Sequence, residues 1–380
     1  MKDGANKGKD MSKDVDTDMD KSGGNERKAV NKDGGRRGKK RLLRVFVIIF
    51  AAVFAAAGAG TGLFFVFRYK DTDGDGYYDW QDPRPKEWDV GDRDLAIFAK
   101  LCYLDGEKYE GAMYPAKKID EELAALGVDF ARLEPELLAR WTIADYTQEE
   151  AMGAVFSATT YKNGDNLVIA YRGTDDGGEW IWNFVGVGLL EFHVEEPMAK
   201  EYALSMAEKY PGCSIYITGH SLGGYLAQFG AAALMEQGAD NLEEVVYFNG
   251  MGLDYKSAKK GEKSAERELL EEFAKSRRLA GYQVYGDIVS QIGVHSGEII
   301  SVYADDRIIE AFKDMEAEEG FFTGADILTA ALINRAFDNV VADYYEQYHV
   351  KSMQGYFNIT HRAENFVAAI VQGRRGTEGR

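Results

Sequence analysis

The chain has 380 residues, and 45% of them are apolar, which is enough for a large packed core and argues against a chain that is disordered throughout. Its formal charge of −18 is divided unevenly. Residues 1–44 carry 14 basic and 8 acidic side chains, which leaves 31 basic and 55 acidic side chains for the remainder. Because residues 45–380 are strongly acidic, they repel nucleic acid, and we therefore expect no nucleic-acid partner.

The first 67 residues predict a tail and a membrane anchor. Residues 1–44 have almost no large apolar side chains, so we expect a disordered tail. Residues 45–67 carry no charge and, as a helix, would reach roughly 35 Å, enough to cross a bilayer core of about 30 Å. The preceding basic cluster, RRGKKRLLR, predicts a cytoplasmic N-terminus and an extracytoplasmic body at the cell membrane. A cleaved signal peptide is the competing interpretation.

Residues 68–91 form an acidic linker that contains a possible calcium loop, DTDGDGYYDWQD, at 71–82. Calcium takes oxygen ligands, and in such loops they come from alternate positions around a turn-making glycine. Aspartate at the last ligand position and the prolines that follow depart from the usual pattern, and a solvated acidic spacer is the alternative. The predicted ligands are Asp71, Asp73, Asp75, the carbonyl of Tyr77, Asp79 and Asp82.

Residues 92–372 have the pattern of a globular domain, and residues 373–380 are predicted to be a flexible end. Short runs of β-branched and aromatic residues alternate with helical stretches. This alternation predicts an α/β domain with a mostly parallel sheet covered by helices. The predicted strands are 154–161, 166–173, 213–219, 244–250, 281–286 and 298–303, and the main predicted helices are 197–209, 222–237 and 262–279.

One serine lies where a predicted strand gives way to a predicted helix. Gly219, Ser221 and Gly223 form the pattern G-x-S-x-G between SIYIT and LGGYLAQFGAAAL. A nucleophile elbow requires this strand, tight turn and helix, with little bulk on either side of the serine. The helix N-terminus favours negative charge that develops beside it. Ser221 is therefore predicted to be a nucleophile, and a glycine-rich turn that contains serine by chance is the alternative.

The motifs YITGHSLGGYLAQ, VIAYRGTDD and VVYFNGMG together resemble those of the class 3 lipase group of the α/β-hydrolase fold, especially its bacterial branch. The resemblance covers about residues 92–370. It implies an α/β-hydrolase fold and an ester hydrolase. It also implies that the backbone amides of Thr174 and Leu222 bind the oxyanion. The YRGT segment ends a predicted strand, and sites of parallel sheets lie at that edge.

A serine nucleophile needs an imidazole base and a carboxylate that orients it, and in this fold the acid and the histidine follow the serine in that order. Asp287 directly follows a predicted strand, and GDIVS resembles the family's acid segment. Asp305 and Asp306 are the alternative acids. His361 opens the last predicted helix, and HRAENF resembles the family's terminal segment, so His361 is the preferred base and His349 the alternative.

These features predict a membrane-anchored serine ester hydrolase of triacylglycerol lipase or phospholipase A type that acts on lipid or other esters. Its chemistry requires no cofactor. A catalytically silent hydrolase-fold binding protein at the cell surface and an acyltransferase are the alternatives. Two apolar segments, 177–194 and 320–333, are each expected to form either a wall or lid of the acyl site or ordinary core.

Overall fold

The computed structural model describes residues 70–371 apart from 76–77, 83, 128, 152–153, 175–194, 256–262, 314–340, 342–345, 348 and 351–352. The chain divides into two compact units, Met1–Phe67 and Arg68–Arg380, and the described residues all belong to the second. The predicted tail, the predicted membrane helix and both apolar segments lie outside the described residues. Among the helices of the described part, none has the length and apolar character needed to span a bilayer.

Seven strands form one sheet in which their spatial order is their order along the chain. The first three strands pair antiparallel, and the pairs from the third strand to the seventh are parallel. The predicted mostly parallel sheet is therefore confirmed. The strands are β1 (Thr142–Ala151), β2 (Ala154–Asn163), β3 (Asn166–Tyr171), β4 (Ser214–His220), β5 (Leu242–Phe248), β6 (Leu279–Val284) and β7 (Glu298–Val302).

The sequence pattern does not predict β1. Its sequence, TIADYTQEEA, is mostly polar and acidic, and the strand lies at the edge of the sheet with β2 as its neighbour. An edge strand needs no continuous apolar run because part of its surface meets water. Polar strands of this kind carry a weak sequence signal.

Helices precede, connect and follow the strands. Their local signals are clear in several cases, such as Ser264, whose side chain accepts a hydrogen bond from the third residue of the helix that follows it. The helices are α1 (Asp92–Leu101), α2 (Ala116–Glu122), α3 (Phe130–Leu133), α4 (Pro135–Arg140), α5 (Glu195–Lys209), α6 (Leu222–Glu236), α7 (Ala265–Ala274), α8 (Asp306–Phe312), α9 (Met353–Thr360) and α10 (Glu364–Val371).

The helices cover both faces of the sheet. Along β3, Val168 and Ala170 belong to a core that also contains residues of α1 and α10. Leu167 and Ile169, which alternate with them, belong to a second core with residues of α5, α6 and α7. Because successive side chains of a strand point to opposite faces, this division is that of a sheet with a core on each side. The loops that follow the parallel strands lie at the carboxyl edge of the sheet.

Candidate active site

Ser221 lies on the turn between β4 and α6, with φ 60° and ψ −127°. Positive φ is strained for a residue with a side chain. The turn is held by the Ser221 backbone amide, which donates to the carbonyl of Phe248 at the end of β5, 3.0 Å away. Ser221 is 2% exposed. The strained turn therefore fixes the hydroxyl at the carboxyl edge of the sheet, beside the first turn of a helix.

The two glycines of the G-x-S-x-G pattern are required by close backbone contacts. A Cβ atom on Gly223 would lie 2.0 Å from the carbonyl oxygen of Tyr171 at the end of β3. A Cβ atom on Gly219 would lie 2.3 Å from the carbonyl oxygen of Gly223. No side chain fits at either distance, so the helix approaches the sheet closely only because both residues are glycine.

A chain of two hydrogen bonds joins Ser221, His361 and Asp287. The Nε2 atom of His361 lies 2.8 Å from the Oγ atom of Ser221, and its Nδ1 atom lies 2.9 Å from Oδ1 of Asp287. The three residues are 2%, 7% and 0% exposed, respectively. The structure thus brings together the serine, the acid and the preferred base from three distant parts of the sequence.

Asp287 lies in the loop after β6, which ends at Val284, and its carboxylate is held by backbone amides. Oδ2 accepts a hydrogen bond from the amide of Ser290 at 3.0 Å, and Oδ1 accepts one from Val289 at 3.3 Å. His295 supports the same turn, because its Nε2 atom lies 2.7 Å from the carbonyl oxygen of Ser290. These hydrogen bonds fix the carboxylate with its Oδ1 atom toward His361.

The segment that carries His361 is attached to the sheet by Asn249, which is fully buried with φ 46°. The Asn249 side-chain amide donates to the carbonyl of Thr360 at 3.1 Å, and its oxygen accepts from the amide of Val284 at 2.8 Å. Tyr356 adds a second attachment, since its hydroxyl donates to the carbonyl of Gly286 at 2.7 Å. The position of His361 is therefore set by the ends of β5 and β6.

A buried ion pair attaches the other side of this segment to α1. The Nζ atom of Lys100 lies 2.7 Å from Glu122 and 3.4 Å from Glu364, which opens α10. Arg362 contacts the same carboxylate oxygen of Glu364 at 2.7 Å. Burial by itself would raise the pKa of Glu364, but the charges of Lys100 and Arg362 outweigh it and lower that pKa to about 2.

The predicted oxyanion residues, Leu222 and Thr174, each adjoin a residue at the site. Leu222 is the first residue of α6, and amides in the first turn of a helix have no partner within the helix. Gly173 passes directly beside the serine, since a Cβ atom built on it would lie 3.1 Å from the Ser221 Cβ atom. Thr174 is the next residue along this segment.

The alternatives for base and acid lie elsewhere. His349 is exposed, with φ 58°, and it is His361 that contacts Ser221. Asp305 caps α8 and binds the side chain of Arg307 at 2.9 Å, which lowers the pKa of Asp305 against the effect of its burial. Asp306 is the first residue of that helix. Among the candidates, Asp287 and His361 are the two that hydrogen bonds link to Ser221.

Some of the predicted calcium ligands lie close together, and another binds groups elsewhere in the loop. Asp71, Asp73 and Asp75 have carboxylate oxygens within 4.8 Å of one another. Asp79 binds other groups instead, because its carboxylate accepts hydrogen bonds from Lys70 at 2.9 Å and from the Thr72 amide at 2.7 Å. Tyr77 lies outside the described residues.

Several residues that organise the site are not among the site residues predicted from the sequence. They are Lys100 in α1, Tyr103 after α1, Asn249 after β5, and the buried His220 next to the serine. The FNG motif contains Asn249, and an asparagine directly after a buried strand is a signal for positive φ. Tyr103 and Lys100 lie in an ordinary amphipathic pattern, which predicts a helix but no role in a site.

A serine, a histidine and an aspartate joined by hydrogen bonds at the carboxyl edge of a parallel sheet form the arrangement used by serine hydrolases of the α/β-hydrolase type. Comparison with known families agrees with this class. Residues 94–334 match the model of the Tle-like phospholipase domain, and the chain belongs to this family of lipase-like ester hydrolases.

Individual proteins show the same similarity. The chain is 30% identical over 152 residues to an extracellular phospholipase A1 of Serratia liquefaciens, and the match spans 40% of this chain and 41% of that protein's length. Among solved structures, the Lip2 lipase of Yarrowia lipolytica has 15% identity and a TM-score of 0.35, covering 56% of this chain and 77% of its own. A triacylglycerol lipase of Penicillium expansum has 13% identity and a TM-score of 0.34, and the match covers 57% of this chain and 82% of that lipase.

Proposed function

We propose that this chain hydrolyses carboxylic esters of lipids with Ser221 as the nucleophile, His361 as general base and acid, and Asp287 as the carboxylate that orients His361. The observation that carries the proposal is the chain of hydrogen bonds, 2.8 and 2.9 Å long, from the serine through the histidine to the aspartate. All three residues are at least nine-tenths buried, so the groups are held in place and shielded from bulk water.

In the first half-reaction the Oγ atom of Ser221 attacks the ester carbonyl carbon while Nε2 of His361 takes its proton. The tetrahedral intermediate collapses as its bond to the alcohol oxygen breaks, and His361 gives the proton to the departing alcohol. In the second half-reaction His361 takes a proton from water, whose oxygen attacks the acyl carbonyl carbon. This second intermediate collapses as its bond to the Oγ atom of Ser221 breaks, and His361 returns the proton to that Oγ atom, which releases the fatty acid. Asp287 stays ionised throughout and stabilises the imidazolium.

The carbonyl oxygen of the substrate becomes negative in each tetrahedral intermediate. In this proposal the backbone amides of Leu222 and Thr174 donate hydrogen bonds to it. The N-terminus of α6 adds a favourable electrostatic contribution, because the positive end of the helix dipole stabilises negative charge that develops beside it. One donor of this kind typically accounts for about 10²- to 10³-fold in kcat.

The substrate class and location are also part of the proposal. The charge-free residues 45–67 after a basic cluster support a single membrane anchor with the catalytic domain outside the cytoplasm. The Serratia liquefaciens relative is named an extracellular phospholipase A1, which supports phospholipid esters as substrates and the same side of the membrane. An anchored hydrolase would meet its lipid substrates at a membrane surface.

The test is fatty-acid release from phosphatidylcholine in mixed micelles by the full-length chain in detergent. Ser221→Ala should lower kcat by about 10⁴-fold or more. Ser205→Ala is the matched control, because this serine lies on α5, where its hydroxyl bonds the carbonyl of Tyr202. The control should stay within about twofold of the wild type, as surface substitutions usually do.

Three outcomes separate the proposal from its rivals. Full activity in Ser221→Ala would overturn the assignment of the nucleophile. Absence of hydrolysis in a folded wild-type chain, across phospholipid and triacylglycerol esters, would favour the silent binding protein. Transfer of the acyl group to an added alcohol in preference to water would favour the acyltransferase.

A further inference from the structure

The acidic loop at residues 71–82 has a structure that the proposed ester hydrolysis does not use. Each of four aspartates places one carboxylate oxygen on a backbone amide. Asp71 accepts from Gly74 at 2.7 Å and Asp73 from Asp75 at 3.3 Å. The two remaining contacts are Asp75 with the amide of Asp89 at 3.0 Å and Asp82 with the amide of Arg84 at 2.6 Å.

In two of these four aspartates, the other carboxylate oxygen is buried without a hydrogen-bond partner. They are Oδ2 of Asp73 and Oδ2 of Asp82, in residues that are 2% and 8% exposed. Burying an ionised carboxylate oxygen without a partner costs several kcal/mol, so a folded protein satisfies such atoms with a donor or a cation. These two atoms are the independent sign that the loop holds a ligand.

Three of these carboxylates converge. Oxygens of Asp71, Asp73 and Asp75 lie within 4.8 Å of one another, and the charges of Asp82 and Asp71 both act on Asp73. Oxygens on opposite sides of a calcium ion are about 5 Å apart, because each Ca–O bond is 2.3–2.6 Å. The cluster therefore has the dimensions of one calcium shell.

Two basic side chains of this segment bind acids outside the proposed ligand set. Lys70 contacts Asp79 at 2.9 Å, and Arg84 forms an ion pair with Asp89. Four carboxylates with oxygen donors alone suit a hard divalent cation, and they disfavour zinc or copper, which prefer nitrogen and sulfur ligands.

The loop also packs on the hydrolase domain. A Cβ atom on Gly74 would lie 2.8 Å from Cγ of Glu136 on α4, so the loop backbone lies directly on that side chain. Arg140, on the same helix, donates to the carbonyl of Thr72 at 3.1 Å. An ion held by the loop would fix these contacts, because the loop carries them on residues that lie between its ligands.

We propose that one calcium ion binds the carboxylates of Asp71, Asp73, Asp75 and Asp82 and locks the loop onto helix α4. Asp79 takes no part as a ligand and instead braces the loop through Lys70 and Thr72. The site would therefore do more than separate two parts of the chain, because the bound ion would hold the acidic segment against the catalytic domain. It is independent of the serine chemistry, so either proposal stands if the other fails.

The test is titration calorimetry of the full-length, chelator-treated chain with CaCl₂, and with MgCl₂ in parallel. We expect one calcium site with Kd of about 10⁻⁴–10⁻³ M or tighter, and binding of magnesium at least tenfold weaker. At ten times Kd the Tm should rise by about 2–3 °C. Asp73→Asn should weaken calcium binding by tenfold or more. Glu87→Gln, which removes an exposed charge in the same segment, should change it by less than twofold.

A second measurement needs no variant. Endoproteinase Lys-C should cleave the wild-type chain after the exposed Lys70 and Lys86, and saturating calcium should slow both cleavages at least fivefold. Absence of calcium binding would overturn the proposal. Equal binding by Asp73→Asn, or cleavage rates that calcium leaves unchanged, would also overturn it.

Discussion

The Nε2 atom of His220 lies 2.6 Å from the backbone carbonyl oxygen of His361. A carbonyl only accepts hydrogen bonds, so His220 carries a proton on Nε2, and its Nδ1 atom accepts from the Tyr103 hydroxyl at 2.9 Å. Burial lowers the pKa of His220 well below its ordinary value, and charge on His361 lowers it further. His220 is therefore a neutral positioning residue that holds the backbone of the proposed base.

Tyr103→Phe tests this positioning. Removing the hydroxyl leaves Nδ1 of His220 buried without a donor, so we expect kcat to fall by about 3- to 10-fold with KM unchanged. Steady-state kinetics on a soluble short-chain ester measures both constants. Tyr210→Phe is the control, because its hydroxyl bonds the carbonyl of Ala144 away from the site. A rise in KM at constant kcat would mean that Tyr103 contacts substrate instead.

The choice of base is tested by comparing two histidine variants. His361→Ala removes the group that contacts both Ser221 and Asp287, so kcat should fall by about 10⁴-fold or more. His349→Ala changes an exposed side chain and should leave kcat within about twofold. The reverse order of the two effects on ester hydrolysis would refute the assignment of His361.

Lys100→Met tests the ion pair between α1 and α10. The substitution leaves Glu364 and Glu122 without their shared cation, and breaking a buried pair in this way costs about 3–5 kcal/mol of unfolding free energy. Urea denaturation of the full-length chain measures the loss. Lys117→Met is the control, because its ion pair with Glu121 is exposed and should contribute at most about 1 kcal/mol. Equal effects of the two substitutions would show that the Lys100 pair does not stabilise the fold.

The same pair predicts a stability change in acid. The pKa of Glu364 is about 2 in the folded chain and 4.5 ordinarily, so its ionised form is favoured by folding. Its contribution is complete above pH 4.5 and is lost as the pH falls from about 4.5 toward about 2. The difference in unfolding free energy between the wild type and Glu364→Gln should therefore shrink over this range. A difference that stays constant between pH 5 and pH 2 would contradict the prediction.

The sequence predicts those parts of the fold and the candidate site that local patterns determine. Strand runs and G-x-S-x-G place Ser221 on a turn, and the position of Asp287 after a strand places it at the same edge of the sheet. The sequence alone leaves His361 and His349 as alternatives, because the distance between either of them and Ser221 depends on how the last helices pack. The structure gives that distance for His361.

Local sequence patterns do not predict the contacts between distant residues that support the site. Tyr103 contacts a histidine 117 residues away, and Asn249 contacts a carbonyl 111 residues away. A sequence motif covers residues that lie close together in the chain, so it reveals neither contact. The polar strand β1 has no apolar alternation to reveal it. In the acidic loop, the spacing predicts six ligands, while the backbone conformation turns Asp79 toward Lys70 and Thr72.

The measurement that tests the central claim most directly is labelling of the full-length chain with a fluorophosphonate, followed by mass spectrometry of the modified peptide. A hydroxyl activated by His361 reacts with such a probe, whereas an ordinary serine does not. We predict one adduct, on Ser221, that disappears in His361→Ala and persists in His349→Ala. A folded wild-type chain that gains no adduct at Ser221, or gains it equally without His361, would contradict the account.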